Sequence, residues 1–268
     1  MYSNTFSKLL KVTHESPNQE AMNREKDAMG AASADYHKHG KAGRLRVFSP
    51  DFDEDEIPAE TLFRTYAEMP PIEQRALQLA KGKILDVGAG AGCHSLALQE
   101  MDKDVEAIDI SPLSVATMLE RGVRQVQEQD FWNVSARYDT ILMLMNGIGI
   151  VGTLPALPRF FSHIRNILNE GGQLLLDSSD ISYVFEDEDG FQELPEGHYY
   201  GELTYQMQYK RTKGDSFAWL YIDFPTLAHI ADENGFTCTL EAEGDHYDYL
   251  ARLTPKGPNA NLHYSCSN

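Results

Sequence analysis

Disulfides, membrane spans and a positively charged surface are all poorly provided for in this chain. Three cysteines (Cys93, Cys238, Cys266) in 268 residues do not look like a disulfide framework. Long apolar runs are missing: the longest, such as residues 141–145, fall far short of the ~20 residues a spanning helix needs. The N-terminus shows no basic start followed by an apolar stretch, so no signal peptide is read there. Basic residues are scarce, with 23 Lys and Arg against 41 Asp and Glu and a formal charge of −18. A phosphate backbone is bound mainly through Lys and Arg, so this balance counts against a nucleic-acid partner. Internal repeats and low-complexity tracts are also absent. The acidic run at 51–56 has no ligand-spaced histidine beside it and reads as a solvated turn, so no metal is expected. The expectation is a cytoplasmic protein with no membrane partner.

What is present is concentrated between residues 83 and 111. Ile84, Leu85 and Val87 form an apolar run that reads as a buried parallel strand. Gly88, Gly90 and Gly92, with Ala89 between the first two, then allow a sharp turn whose backbone a ligand can approach. A helix over about 91–101 follows, and a second apolar strand over 105–108 ends on Asp109. An acid at such a strand end lies where α/β folds bind ligands and can accept two ribose hydroxyl hydrogens. A dinucleotide fingerprint needs its third glycine at the sixth position, which here is Cys93. Asp86, just before the loop, would repel a phosphate and suit an ammonium group. The spacing therefore favours a ligand with an amino-acid end over a dinucleotide.

This segment resembles motif I and the following acidic strand end of the class I S-adenosylmethionine-dependent methyltransferases. Further elements follow in register: a third strand over 123–127, the pair Asp130-Phe131, a fourth strand over 138–145, and a glycine turn and fifth strand over 168–177. The resemblance covers about 80–180 well and 225–254 loosely. It implies an α/β, Rossmann-like, seven-stranded and mostly parallel sheet with helices on both faces. It implies S-adenosyl-L-methionine as cofactor and methyl transfer to an acceptor. Asp86, Gly88, Ala89, Gly90 and Gly92 would hold the methionine end, Asp109 and Ile110 the ribose, and Asp130 and Phe131 the adenine, although Asp130 also reads as a helix N-cap. Met145 and Asn146, at the end of the fourth strand, would pass nearest the reactive methyl. The family's Asn/Asp-Pro-Pro-aromatic sequence is not kept there, since Gly147 and Ile148 follow Asn146; Asn146 is read equally as a group that satisfies loop backbone. Two rivals remain open: a cofactor-binding module without catalysis, and a dinucleotide-dependent oxidoreductase.

Around this core the chain divides into an N-terminal extension and helical cap (1–80), the main domain (81–254) and a tail (255–268). The first 30 residues read as loosely held, and two helical segments, about 59–68 and 72–80, are split by Pro70-Pro71. Arg64 in the first is a candidate for the cofactor's carboxylate through a two-pronged contact, with a surface salt bridge as its alternative. Tyr36, His37 and His39 form a weak acid/base candidate under the cap; His94, His198, Tyr199 and Tyr200 are noted without a role. Ser111 and Pro112 open a helix, and another runs from about 155 to 169. After an irregular stretch with a second acidic run at 186–189, residues 202–210 and 217–223 alternate about a turn at 213–215 and read as an inserted β-hairpin within about 200–223. Tyr205, Tyr209, Phe217, Trp219 and Tyr221 all stand at odd positions there. That aromatic face must be buried by the cap, by a small-molecule substrate or by a second copy in a homodimer. The expected hypothesis is that the cap closes the pocket and the hairpin forms a wall.

Overall fold

The computed structural model describes residues 23–186, 194–195 and 197–257. Expectations for the first 22 residues, for most of the acidic run at 186–189 and for the tail beyond residue 257 fall outside them. Among the described residues the first α-helix is α1 (Ala28–His39), whose buried face is made of Ala28, Gly30, Ala32 and Ser33. Small residues let this helix sit close to its neighbour, and Gly40 ends it in the left-handed conformation. Next come β1 (Leu45–Phe48) and β2 (Asp55–Ile57), antiparallel to each other. Part of the acidic run is thus a strand, with Arg44, just before β1, and Arg46, on it, paired with Glu56 and Glu54. The helical segment expected at 59–68 is two 3-10 turns, Ala59–Phe63 and Tyr66–Glu68. The break falls at Arg64 and Thr65, where Glu68 reaches back to accept from the Thr65 N–H and hydroxyl and starts a new turn. After α2 (Pro71–Leu79) the regular alternation begins.

Strand β3 (Lys83–Val87), helix α3 (Cys93–Glu100), strand β4 (Asp104–Asp109), helix α4 (Pro112–Arg121) and strand β5 (Val126–Glu128) follow in order. Helix α3 starts two residues later than expected because Gly92, at φ 81°, still belongs to the turn. β5 likewise starts late: Gly122 caps α4 in the left-handed region, and Val123 is buried under Met118 rather than paired. Then come β6 (Tyr138–Met143), α5 (Leu157–Ile167) and β7 (Leu168–Ser179). The expected hairpin is β8 (Glu202–Tyr209), β9 (Thr212–Lys213) and β10 (Phe217–Leu220). Helix α6 (Phe224–Glu233), β11 (Phe236–Glu243) and β12 (Asp248–Pro255) close the described fold.

The main sheet has the order β11-β12-β7-β6-β3-β4-β5. Strands β3 to β7 are mutually parallel where they pair, and β12 runs antiparallel to both neighbours. This is the expected seven-stranded Rossmann-like sheet. Both faces are covered, as the strands' continuous apolar runs require. Leu85, Val87, Leu174 and Leu176 pack with Phe160, Phe161 and Ile164 of α5 on one side, while Ile84, Leu142 and Leu175 pack with Leu77 and Leu98 on the other.

A second, antiparallel sheet has the order β10-β8-β1-β2, with β9 on β8. The hairpin therefore does not extend the main sheet. It pairs with the N-terminal strand β1, Leu45 opposite Tyr209 and Val47 opposite Met207. The N-terminal extension is correspondingly not a purely helical cap, since it supplies two strands. Tyr209 is buried against Ala28, Ala32 and Leu45, and its hydroxyl donates to Asp35 at 2.8 Å.

Candidate functional site

The loop after β3 is shaped by three left-handed glycines, Gly88, Gly90 and Gly92, at φ 67°, 59° and 81°. The Gly88 and Ala89 N–H groups both donate to Ile108 O, which folds the loop across the end of β4. Its outer side is bare. A Cβ at Gly88 would meet nothing within 4 Å, and one at Gly90 only Leu62 Cδ2 at 3.7 Å. Gly92 is used differently: a Cβ there would lie 2.8 Å from Val123, so this glycine allows close packing inside the fold. Asp109 stands beside the loop, accepting from Gly90 N at 2.8 Å and from Ser111 N at 2.8 Å. Burial pushes its carboxyl up to about 6 against those two donors. Asp86, under the loop, accepts from Ser95 Oγ at 2.6 Å, and burial raises it too, with His94 and Ser95 opposing.

The ends of β6 and β7 meet at a second turn. Met145 and Asn146 are both left-handed, at φ 57°, and Asp177 holds them by accepting from both N–H groups, at 3.1 and 2.7 Å. Burial raises Asp177 to about 7. The Asn146 side chain is engaged at both ends: its Oδ1 accepts from Ser178 Oγ at 2.7 Å and one Nδ2–H donates to Leu220 O at 3.1 Å. The asparagine thus ties β7 to β10. Just beyond it, Trp219 lies against Gly149 so closely that a Cβ there would sit 2.1 Å from Cε2.

Arg64 is only part-exposed and is held by an ion pair. Its Nη2 donates to both oxygens of buried Glu73, at 2.7 and 2.9 Å. Its Nε is the one buried side-chain polar atom without a partner among the described residues. The segment carrying it is pinned to the glycine loop by Arg121, whose Nη1 donates to Ala91 O and Leu62 O. An open loop face, an acid under it, an acid beside it and an unsatisfied buried N–H together suit a ligand with a ribose, an ammonium and a carboxylate.

Comparison with known proteins agrees. A family profile described as a methyltransferase domain matches residues 59–241. The chain belongs to the S-adenosylmethionine-dependent methyltransferases. A SAM-dependent methyltransferase from Bacteroides fragilis, solved in complex with S-adenosyl-L-homocysteine, is 54% identical over 88% of this chain and 98% of its own, with a TM-score of 0.83. CcbJ methyltransferase from Streptomyces caelestis (13% identity, 72% of this chain and 98% of that one, TM-score 0.53) shares the fold. So does a DhpI–SAM–HEP complex (17% identity, 69% and 85%, TM-score 0.53). Comparison with curated proteins returned no match. The cofactor of this methyltransferase is S-adenosyl-L-methionine.

The remaining residues expected of the methyltransferase are placed as follows. Ile110 follows Asp109 and is 41% exposed beside the loop. Asp130 caps the 3-10 turn Phe131–Asn133 by accepting from Trp132 N at 2.9 Å, and Phe131 is buried in the main core, edge-on to His163. His37 pairs with Glu120 at 3.3 Å and stacks on Phe63, and His39 is exposed at the end of α1. His198 is exposed, while the Tyr199 and Tyr200 hydroxyls donate to Asp223 and Asp180. Sequence reasoning passed over Glu73, Ser178 and Asp177. Asp177 carried a usable signal, an acid closing an apolar strand in the manner of Asp109; Glu73, in a short amphipathic helix, carried none.

Proposed function

We propose that this methyltransferase acts on a small-molecule acceptor held between the C-terminal edge of the main sheet and the aromatic side of the second sheet. The observation that carries this is the seat of Trp219 on Gly149, which fixes β10 directly over the turn that follows β6. Beside it, Phe217 is edge-on to both Trp219 and Tyr205, at 5.9 and 6.3 Å between ring centroids. These rings are only half-buried, so their faces are offered to a ligand. The cofactor's sulfonium supplies the methyl group and the leaving group. The chain's own task is then to align donor and acceptor and to exclude water.

In this reading Asp109 and Ile110 take the ribose, Gly88, Ala89, Gly90 and Gly92 give the methionine end backbone to lie against, and Asp86 balances the ammonium. Arg64 turns its free Nε–H to the carboxylate, while Asp130 and Phe131 flank the adenine. Met145 stands nearest the methyl, held in position by Asp177, and Asn146 acts by fixing that turn to β10. The N-terminal extension closes the pocket through β1 and β2. A screen of small-molecule pools with methyl-labelled cofactor tests this, with Trp219→Ala as control. Label should pass to a small molecule, and the variant should lose turnover while binding S-adenosylhomocysteine as before. Label appearing only on macromolecules, or full turnover by the variant, would refute the proposal.

A further inference from the structure

Glu73, in the first turn of α2, and His94, in the first turn of α3, are charged groups buried to 4% exposure each. Burying either is costly unless it is paired. They are paired in a chain of three. Arg64 Nη2 donates to both Glu73 oxygens, and His94 Nε2 lies 2.8 Å from Glu73 Oε2. An arginine and a glutamate alone sum to zero, and a neutral pair offers a ligand carboxylate little net attraction. With an imidazolium as third member the chain carries one surplus positive charge. Arg64, at its outer end, still has an unsatisfied buried Nε–H.

The groups facing His94 come from several elements. Glu73 reaches it from α2, Asp86 from β3, Cys93 from its own helix and Asp177, more distantly, from β7; Arg121 of α4 faces Cys93 in turn. Burial opposes protonation of His94, but Cys93 beside it, the Glu73 hydrogen bond and the Asp86 charge outweigh burial and hold the imidazole well above its ordinary value. The buried Glu73 carboxylate 2.8 Å from His94 Nε2 favours the imidazolium, which gives the triad its surplus positive charge.

We propose that His94 is a specificity-determining residue for the cofactor: by neutralising Glu73 it frees the charge of Arg64 for the methionine carboxylate. This rests on the proposed role of Arg64. His94 does not touch the cofactor in this scheme. It acts through Glu73, and what it sets is preference for the carboxylate-bearing end, not affinity for the adenosine.

The test is calorimetry on the full chain with two probes. S-adenosylhomocysteine carries the carboxylate, and 5′-methylthioadenosine shares the adenosine and thioether without it. His94→Gln keeps a hydrogen-bond donor toward Glu73 but removes the charge. Its preference for S-adenosylhomocysteine over methylthioadenosine should fall about tenfold, with methylthioadenosine binding unchanged. Adding Glu73→Gln to His94→Gln leaves Arg64 as the triad's single charge and should restore the preference. In the wild type the preference should decline as pH rises through the His94 titration, and the His94→Gln profile should lack that decline. Asp109 serves both probes, so its titration cancels in the ratio. Equal loss of both probes, no loss, no rescue by the double variant, or the same pH profile in both proteins would overturn the proposal. Arg64→Ala separates the two claims. If it leaves the preference intact, the Arg64 reading fails; if it abolishes the preference while His94→Gln does not, only the His94 inference fails.

Discussion

Asp109→Asn separates what the carboxylate does for the ligand from what it does to the fold. Asp109 bridges two loops by accepting from Gly90 N and Ser111 N, each at 2.8 Å. An asparagine of the same shape can accept only one of them through its oxygen. Loss of a hydrogen bond to a charged group costs about 1.5–3 kcal/mol, so binding of S-adenosylhomocysteine should weaken roughly ten- to hundredfold. Stability should move differently. The folded carboxyl sits near 6 against a reference of 3.8, and each unit is about 1.4 kcal/mol, so ionising it in place costs the native state roughly 3 kcal/mol. The sign follows from that raised value. Below 3.8 the acid is neutral in both states and the penalty is absent; it grows between 3.8 and 6 and is complete above 6. The stability of the wild type minus that of Asp109→Asn should thus decline as pH rises from about 4 to about 6 and then level off. Thermal unfolding of both proteins across that range reads the difference, and calorimetry at pH 7.5 reads the affinity. A folded variant that binds S-adenosylhomocysteine as tightly as the wild type would refute the ribose assignment, and a flat stability difference would refute the burial argument.

Other perturbations test the parts around that loop. Arg64→Lys should bind S-adenosylhomocysteine several-fold more weakly, because an ammonium cannot both hold Glu73 and offer a second directed N–H; equal affinity would place Arg64 outside the site. Gly149→Ala should lower stability by about 1–3 kcal/mol and shift Trp219 fluorescence, because the new methyl overlaps the indole; Trp219→Ala in the same chain should recover part of the loss in thermal unfolding. Asp27 caps α1 through Gly30 N at 2.8 Å and also accepts from Ser111 Oγ, so Asp27→Ala should cost about 1–2 kcal/mol in denaturant unfolding, and an unchanged midpoint would refute the cap. Deleting residues 1–50 removes α1 and takes β1 from between β8 and β2, so S-adenosylhomocysteine should be held less tightly; full retention would refute the closing role of the extension.

The sequence by itself determined the parallel core and its cofactor edge, because those features are local. Continuous apolar runs such as 141–145 have no choice but a sheet covered on both faces, and three glycines followed by a helix fix the turn wherever the chain folds. Ser111 and Pro112 set the start of α4, and the alternation over 202–210 and 217–223 fixed a hairpin. Only the tertiary structure decided what the hairpin pairs with. Leu45 and Val47 lie more than 150 residues from Tyr209 and Met207, and nothing local in a four-residue strand reveals a partner so distant. The same holds for the two short strands in the N-terminal extension, for α1, whose small residues make sense only against the start of α4, and for the Arg64–Glu73–His94 chain, whose members come from a turn and two separate helices. Asn146 shows the limit most directly. Its residue type and place fitted a ligand contact and a backbone contact equally well, and Ser178 and Leu220, brought in from two other strands, are what occupy its amide.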